Sequence, residues 1–160
     1  MNIFDYQFVV SAPLSAVSDF HHDTGVLKKL TPPPIFVQIH QFEPLADGAV
    51  AEFTLWFGPL PIRWTAVHSN VSQHGFTDTQ QRGPLKLWQH THRFEAVDSR
   101  QTVVKEHIEY DYYPGLRGTL SRLLFNRAAL FFLFSARKWL TRYHIGRQRK
   151  TDSAETTPTP

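Results

Sequence analysis

Apolar and polar positions alternate along most of the chain, and this pattern predicts β-strands. In a strand, residues i, i+2 and i+4 lie on the same side, so one face can be buried while the other meets solvent. The alternation covers residues 3–10, 35–42, 51–57, 61–71, 75–94 and 102–112, and a Gly-Pro turn at 83–84 divides the fifth stretch in two. Because the turns between the later segments are short, we expect neighbouring strands to pair antiparallel.

Helical spacing replaces the alternation in two regions. Pro13 is suited to the first turn of a helix, and apolar residues follow it at helical spacing over 14–20. A second short helix over 26–30 is stopped by the prolines at 32–34, because the residue before a proline avoids helical geometry. One long helix is predicted from 117 to about 143. Its middle is apolar over much of its circumference, so it should be buried on more than one side.

These elements together predict an α+β fold. A seven-stranded antiparallel curved sheet would carry two short helices after its first strand, and the long C-terminal helix would pack across its concave face. At 160 residues the chain is long enough for one domain, which we place at residues 1–146. Residues 147–160 are first basic and then polar and rich in proline and threonine, so we expect them to be disordered.

The composition and the apolar segments indicate the cellular compartment in which we expect the protein. The chain has no cysteine, which excludes a disulfide framework and a thiolate zinc site and fits a reducing compartment. The first residues lack the pattern of a secretory signal. The longest apolar run of the helical region, 128–134, is far shorter than a membrane span. We therefore expect a cytoplasmic protein that is a monomer or a homodimer.

The positive charge of the chain is concentrated at its C-terminal end. The net charge is +3, and basic residues crowd after residue 136. Such a cluster is typical of a solvated helix end that complements the helix dipole. It also suits contact with a peripheral anionic membrane or a ribosome, and both interpretations stay open. We expect no nucleic acid partner.

Candidate chemistry is concentrated in the hairpin over residues 75–94. One face of its first strand carries Phe76, Asp78 and Gln80, and one face of its second carries Trp88, His90, His92 and Phe94. A solvent-facing surface seldom carries three large aromatic side chains, and a plain apolar core seldom carries a carboxylate and two imidazoles. A pocket lined partly by polar groups accounts for both.

Tight hairpins between consecutive strands also predict which polar residues meet. They place Asp78 opposite His90, Gln80 opposite Trp88, His92 near Glu106 and His68 near Asp78. The sheet would then carry two carboxylate–imidazole pairs on one face. Burial alone raises the pKa of a carboxyl group, but a neighbouring imidazolium favours its charged form.

Several interpretations of this polar face compete. Metal binding would use His90 and His92, with Glu106 or Asp78 as a third ligand. The H-x-H spacing is a weak signal, however, and each histidine has a carboxylate partner, so we expect neither a metal nor a cofactor. Acid–base catalysis would use the same four residues. The chain offers no cysteine nucleophile and no serine in a G-x-S-x-G motif to support it.

A binding cavity is the third interpretation, and a buried polar network that only fixes the fold is the fourth. Arg137 bears on the choice, because it lies in the apolar part of the long helix. If it faces the sheet, its guanidinium can meet Glu106, Asp78 or an anionic group of a ligand. If it faces away, it is an ordinary surface arginine.

A combination of short motifs resembles a known superfamily. Ser11-Ala12-Pro13 opens the first helix, Leu30 precedes Pro32-Pro33, and Gly58-Pro59 precedes Trp64. The other parts are Phe76-x-Asp78-x-Gln80-x-x-Gly83-Pro84, Trp88-x-His90-x-His92-x-Phe94, Tyr110 with Pro114-Gly115, and Phe134-x-x-Arg137. Together they resemble a branch of uncharacterised bacterial proteins in the START/SRPBCC superfamily, which also contains polyketide cyclase/dehydrase-like proteins. Some members of the branch are labelled cell-division-inhibitor-like, a label that no residue here supports.

The resemblance implies the helix-grip fold, in which a seven-stranded sheet grips a long helix and encloses a deep apolar cavity. Members of the superfamily bind lipids, sterols, polyketides or plant hormones, and some act on them. The branch itself offers no activity to carry over. Glu106 departs from the pattern, because relatives often have aspartate there, and its side chain reaches one methylene further.

Our leading hypothesis is binding of a small, largely hydrophobic molecule between the sheet and the long helix. The expected ligand-binding residues are Trp64, His68, Asp78, Gln80, Trp88, His90, His92, Glu106, Tyr110, Phe131, Phe134 and Arg137. One alternative is an enzyme of cyclase, dehydratase or hydrolase type, with His90, His92, Asp78 and Glu106 as candidate catalytic residues. Another is an interaction module that docks through its helix and basic C-terminal end.

Overall fold

The computed structural model describes residues 1–155. The strands are β1 (Asn2–Val10), β2 (Ile35–Phe42), β3 (Val50–Phe57), β4 (Leu60–Ser72), β5 (Gly75–Arg82), β6 (Leu87–Asp98) and β7 (Gln101–Asp111). The helices are α1 (Leu14–His22), α2 (Val26–Lys29), α3 (Thr119–Leu124) and α4 (Arg127–Glu155), and a 3₁₀ turn over Gly115–Gly118 precedes α3. The strands lie within two residues of their predicted bounds, except that β6 continues four residues beyond its predicted end at Phe94.

All seven strands form one antiparallel sheet in the order β1-β7-β6-β5-β4-β3-β2. Strands β2 to β7 follow one another as a meander, and β1 closes the far edge by pairing with β7, from Asn2↔Tyr110 to Val10↔Thr102. The predicted fold class is confirmed: the protein is α+β, with two short helices after β1 and a long helix at its C-terminal end.

Gly75 permits the close approach of β5 and β6 at the start of the central hairpin. Its φ is +135°, a conformation that residues with a side chain rarely adopt. A Cβ atom at this position would lie 1.9 Å from the carbonyl oxygen of His92. Glycine is therefore required for β5 to begin against the backbone of β6.

The predicted long helix is interrupted, which corrects the sequence-based expectation. The break falls at Phe125, whose φ and ψ of −122° and 27° leave the helical region. Phe125 is buried against Trp64 and Trp88. The next residue, Asn126, accepts a hydrogen bond from Ala129 N through its side-chain oxygen at 2.9 Å and so caps the new helix α4. A buried aromatic residue and a cap together divide one apolar segment into two helices.

The expectation of disorder after residue 146 is also corrected, because α4 continues to Glu155. Residues 156–160 of the expected tail lie outside the described residues. Two arginines tie α4 to the end of β1 and the loop that follows it. Arg142 Nε donates to Val9 O at 2.9 Å, and Arg149 Nη1 donates to Ser11 O at 2.5 Å. These backbone contacts give part of the basic C-terminal cluster a structural role.

The buried side of α4 carries Leu130, Phe134, Thr141 and Ile145, at spacings of four, seven and four residues. Leu130 and Phe134 belong to one apolar cluster over the concave face of the sheet, and Ile145 belongs to a second. Phe131 was expected in this stripe, but 60% of it is exposed, and its ring lies at 5.8 Å from Tyr6 over the β1 edge. The break at Phe125 starts a new helix, so helical spacing counted from before the break does not fix which face of α4 is buried.

None of the helices over residues 1–155 is both long enough and apolar enough to span a membrane.

Two phenylalanines of α4 allow a matched test of this packing. Phe134 is fully buried, whereas 64% of Phe132 is exposed. We expect Phe134→Ala to lower the free energy of unfolding by about 3–5 kcal/mol, because it leaves a cavity among aromatic neighbours. Phe132→Ala should change it by no more than about 0.5 kcal/mol. Urea denaturation of both variants measures the difference, and equal effects would contradict the assigned buried face.

Candidate functional site

A cavity of about 130 Å³ lies between the concave face of the sheet and the helices. Most of its wall is apolar and is formed by Val26, Leu27, Leu30, Phe42, Leu45, Ala51, Phe53, Leu55, Trp64, Ala66, Phe76, Trp88, Phe125 and Leu133. Its polar wall is formed by His21, His68, Asp78, His90, His92 and Arg137. This combination of an apolar lining and a few convergent polar groups is typical of small-molecule sites.

The polar wall follows directly from the period-two pattern of three adjacent strands. β4 contributes Trp64, Ala66 and His68, β5 contributes Phe76 and Asp78, and β6 contributes Trp88, His90 and His92. Alternate residues of each strand face the same way, so these side chains all lie on the concave face. The predicted register is confirmed at three pairs: His68↔Asp78, Asp78↔His90 and His92↔Glu106.

The hydrogen bonds of the hairpin run diagonally rather than between direct partners. His92 Nε2 lies 3.2 Å from Asp78 Oδ2, although the direct partner of Asp78 is His90. His90 Nε2 lies 2.8 Å from Glu106 Oε2, although the direct partner of Glu106 is His92. Diagonal neighbours on a sheet face are within reach of long side chains. The sequence-based pairing therefore names the right four residues but exchanges the hydrogen-bonded partners.

His92 also contacts the second carboxylate, so its ring lies between two negative charges. Its Nδ1 is 2.8 Å from Glu106 Oε2, at an angle that does not make a hydrogen bond. Burial would lower the pKa of His92, but Glu106 and Asp78 outweigh it and raise the pKa to about 9. His92 is therefore an imidazolium at neutral pH.

The two carboxylates stay ionised because of these contacts. Burial would raise the pKa of Asp78, but hydrogen bonds from His68 and His92 hold it well below its usual value. Burial would likewise raise the pKa of Glu106, which is only 4% exposed, but the charge of His92 and the hydrogen bond to His90 hold it well below its usual value. Removal of one partner would leave an uncompensated buried charge, which is strongly destabilising.

His68 is bound on both ring nitrogens by groups that only accept hydrogen bonds. Its Nε2 lies 2.9 Å from Asp78 Oδ1, and its Nδ1 lies 3.0 Å from Ala49 O. A neutral imidazole has one N–H, so both acceptors are satisfied only by the imidazolium. Burial alone would lower the pKa of His68, but Asp78 and Ala49 outweigh it and raise the pKa.

His90 and His21 remain neutral. Burial lowers the pKa of each to about 4, and the positive charge of His92 adds to the effect. His21 was not among the predicted site residues. It follows Val17 by one helical turn on the buried face of α1, and its Nδ1 lies 2.8 Å from Val17 O. The i, i+4 spacing from Val17 was the signal in the sequence that could have placed His21 at the wall.

Arg137 lines the cavity from α4, which decides between its two expected orientations. Its guanidinium carbon lies 5.1 Å from the centre of the Phe134 ring. Its Nε is buried and has no hydrogen-bond partner within residues 1–155. Burial lowers the pKa of Arg137, although Glu106 and Asp78 act against this.

Five of the predicted ligand-binding residues do not line the cavity. Glu106 lies behind the wall, where it supports His90 and His92. Phe134 and Tyr110 pack behind it too, with their rings at 5.3 Å from His90 and 6.3 Å from Trp88. Gln80 instead closes the β5–β6 loop, because its Nε2 donates to Leu85 O at 2.8 Å. Phe131 is exposed over the β1 edge.

Asp78, His90 and His92 offer donor atoms that lie within 4.8 Å of one another, a separation that would suit a metal ion. Two of these donors are already engaged: His92 holds a proton between two carboxylates, and His90 is bonded to Glu106. A metal ion would have to displace that proton and break the bond between His90 and Glu106. The donor set therefore favours the proton network over a metal centre.

The directions of the pKa shifts predict a maximum of stability near pH 6.5. Below that pH, His21 and His90 become protonated in the unfolded chain, whereas in the folded protein they stay neutral down to about pH 4, so stability falls. Asp78 and Glu106, whose pKa values are lowered in the folded protein, extend this loss of stability to lower pH. Above it the unfolded chain releases a proton that folded His92 keeps until about pH 9, so stability falls again. The midpoint of urea unfolding should therefore be highest near pH 6.5 and lower at pH 5 and pH 8.5.

Two variants test whether His92 causes the fall in stability above pH 6.5. In His92→Gln the fall in stability between pH 6.5 and pH 8.5 should shrink, because the group with the pKa of about 9 is gone. His74→Gln, on an exposed turn between β4 and β5, should keep the fall of the wild type. An undiminished fall in His92→Gln would show that His92 is not the buried imidazolium.

No family model matches this chain, and no curated protein matches it. Solved structures of low sequence identity share its fold. Zhui aromatase/cyclase from Streptomyces sp. R1128 superposes with a TM-score of 0.69 at 15% identity, covering 92% of this chain and 94% of that one. Protein CV1439 from Chromobacterium violaceum gives 0.72 at 11%, covering 91% and 98%. Norcoclaurine synthase from Thalictrum flavum gives 0.65 at 16%, covering 89% and 87%. The chain therefore has the helix-grip fold.

Proposed function

We propose that the protein binds a small, largely hydrophobic molecule in the cavity between the sheet and α4. The observation that carries the proposal is the cavity itself, about 130 Å³ of space within an otherwise packed core. Protein interiors are close-packed, and voids larger than a water molecule are few. A cavity of about 150 Å³ lined by apolar groups is known to accept one benzene ring. The space is thus of the size of an aromatic ring or a short branched alkyl group.

Two small side chains leave this space open. Ala51 and Ala66 face one another across β3 and β4 and both line the cavity, between the larger aromatic residues Trp64 and Phe53. A structural relative supports the same use of the fold, because norcoclaurine synthase is solved in complex with dopamine and hydroxybenzaldehyde, both small aromatic molecules. We carry over the type of ligand from it and not the reaction.

The polar wall supports binding better than catalysis. A general base needs a nitrogen that is free to take a proton from a substrate. Both ring nitrogens of His92 face carboxylates, and Nε2 of His90 is bonded to Glu106. The other nitrogen of His90, Nδ1, lies 3.9 Å from Asp78 Oδ2, too far for a hydrogen bond, but the pKa of His90 is lowered to about 4, so this nitrogen is a weak base at neutral pH. The histidines of this network thus mainly contact its own carboxylates, and we assign the network the role of a fixed polar wall for the ligand.

Filling the cavity should abolish binding without unfolding the protein. We expect Ala66→Leu to weaken the binding of phenol, a neutral aromatic probe of one ring, by tenfold or more, because the added atoms occupy the space. Isothermal titration calorimetry measures the affinity. Ala128→Leu adds the same atoms on the exposed face of α4 and should leave it unchanged. Equal affinity in wild type and a folded Ala66→Leu variant would refute binding in this cavity.

A second candidate function is docking on an anionic membrane surface, and the outward face of α4 favours it. Phe132, Trp139 and Tyr143 follow one another at helical spacing, with 64%, 66% and 56% of each exposed. Three cations accompany them. The side chains of Lys138 and Arg142 lie 5.7 and 6.0 Å from the Trp139 ring, and Arg147 Nη1 lies 3.0 Å from Tyr143 Oη. Exposed aromatic residues beside basic ones suit the interface of anionic lipids.

Sedimentation with vesicles tests this docking. The protein should bind vesicles of phosphatidylcholine with a quarter phosphatidylserine more strongly than vesicles of phosphatidylcholine alone, because each cation near the surface contributes about 1 kcal/mol. The double variant Phe132→Ala, Trp139→Ala should lose most of this binding. The double variant Phe36→Ala, Val97→Ala removes exposed apolar residues from β2 and β6 and should keep it. Absence of binding, or equal binding to both vesicle types, would refute the docking.

A further inference from the structure

We infer that the ligand of this cavity carries a carboxylate, or an equivalent single negative charge, and that Arg137 binds that charge. The inference rests on the proposed function and specifies the chemistry of the ligand. It follows from the charge balance of the cavity wall and from the position of Arg137 within it.

The charges along the cavity do not balance within the protein. The negative charges are Asp78 and Glu106. The positive ones are His92, held between both carboxylates, His68, whose two acceptors require the imidazolium, and Arg137. His21 and His90 are neutral and change nothing in this balance. The cations therefore outnumber the carboxylates by one, and a bound anion of single charge would neutralise the wall.

Arg137 is the cation without a partner. The bonded oxygens of Asp78 and Glu106 are engaged by His68, His90 and His92, and Arg137 forms no ion pair with a carboxylate in residues 1–155. Its Nε is buried without a hydrogen-bond acceptor, which is unusual because buried donors are nearly always satisfied. A guanidinium presents paired N–H groups that match the two oxygens of a carboxylate.

The surroundings of Arg137 also show how such a ligand would lie. An outer groove of about 220 Å³ runs between α3, α4, β2 and β3, and it shares Leu55, Phe125, Leu133 and Arg137 with the inner cavity. Arg137 thus stands where the two spaces meet. An apolar body in the inner cavity would place an attached carboxylate at the guanidinium, close to the route by which a ligand can enter.

Two probes of similar size separate the charge from the apolar body. At pH 7 the wild type should bind benzoate, which is ionised, about tenfold more tightly than the neutral phenol, as measured by calorimetry. A charge-assisted hydrogen bond is of the strength that this ratio requires. In Arg137→Gln the affinity for benzoate should fall about tenfold and the preference should disappear. Arg137→Lys keeps the charge without the paired donors and should retain part of the preference.

The control is Arg142→Gln, which removes the same charge from α4 at an exposed position and should keep the preference of the wild type. The midpoint of thermal unfolding checks that each variant is folded. If Arg137→Gln does not fold, the wild-type preference and its reduction in Arg137→Lys decide the question.

The outcomes distinguish this inference from the proposed function. If the wild type binds phenol at least as tightly as benzoate, or if folded Arg137→Gln keeps the preference, the inference falls and binding in the cavity stands. If neither probe binds, both fall. A preference for benzoate that depends on Arg137 and not on Arg142 supports both.

Discussion

Two carboxylates on the concave face of the sheet, the buried Glu106 and the half-buried Asp78, constrain the rest of this structure. An ion that leaves water costs on the order of several kcal/mol unless an opposite charge and hydrogen bonds compensate it. Here the compensation comes from His92, whose ring contacts both Asp78 and Glu106. This requires β5, β6 and β7 to be adjacent and in one register, because a slip by one residue would turn each side chain to the opposite face.

The same network supports our proposal that the space beside it is a binding site and not simply a packing defect. Its side chains are fixed by one another, so they form a wall whose charges do not rearrange easily. Phe134 covers the network from α4, while Ala51 and Ala66 leave room next to it. Arg137 adds a charge that no carboxylate in the described part of the chain takes up. A rigid wall, an open space and an unmatched cation together define what a ligand would have to supply.

The strands and the polar face could be predicted because both depend on local rules. Alternation assigns Asp78, His90 and His92 to one face, and short turns make consecutive strands neighbours. The failures all concern packing between distant segments. The break at Phe125 depends on a pocket between Trp64 and Trp88, and the exposure of Phe131 follows from that break. His21 reaches the wall only because α1 lies against β6 and carries its ring to Phe94.

The sequence by itself determined the fold class, the order of the strands and the set of groups that share the polar face, because these follow from periodicity, turn length and residue type. Only the tertiary structure decided which histidine bonds to which carboxylate, because diagonal contacts depend on side-chain reach across three strands. It also decided that Arg137 faces inward and that the cavity has the volume of about one ring, since both depend on how α4 lies on the sheet.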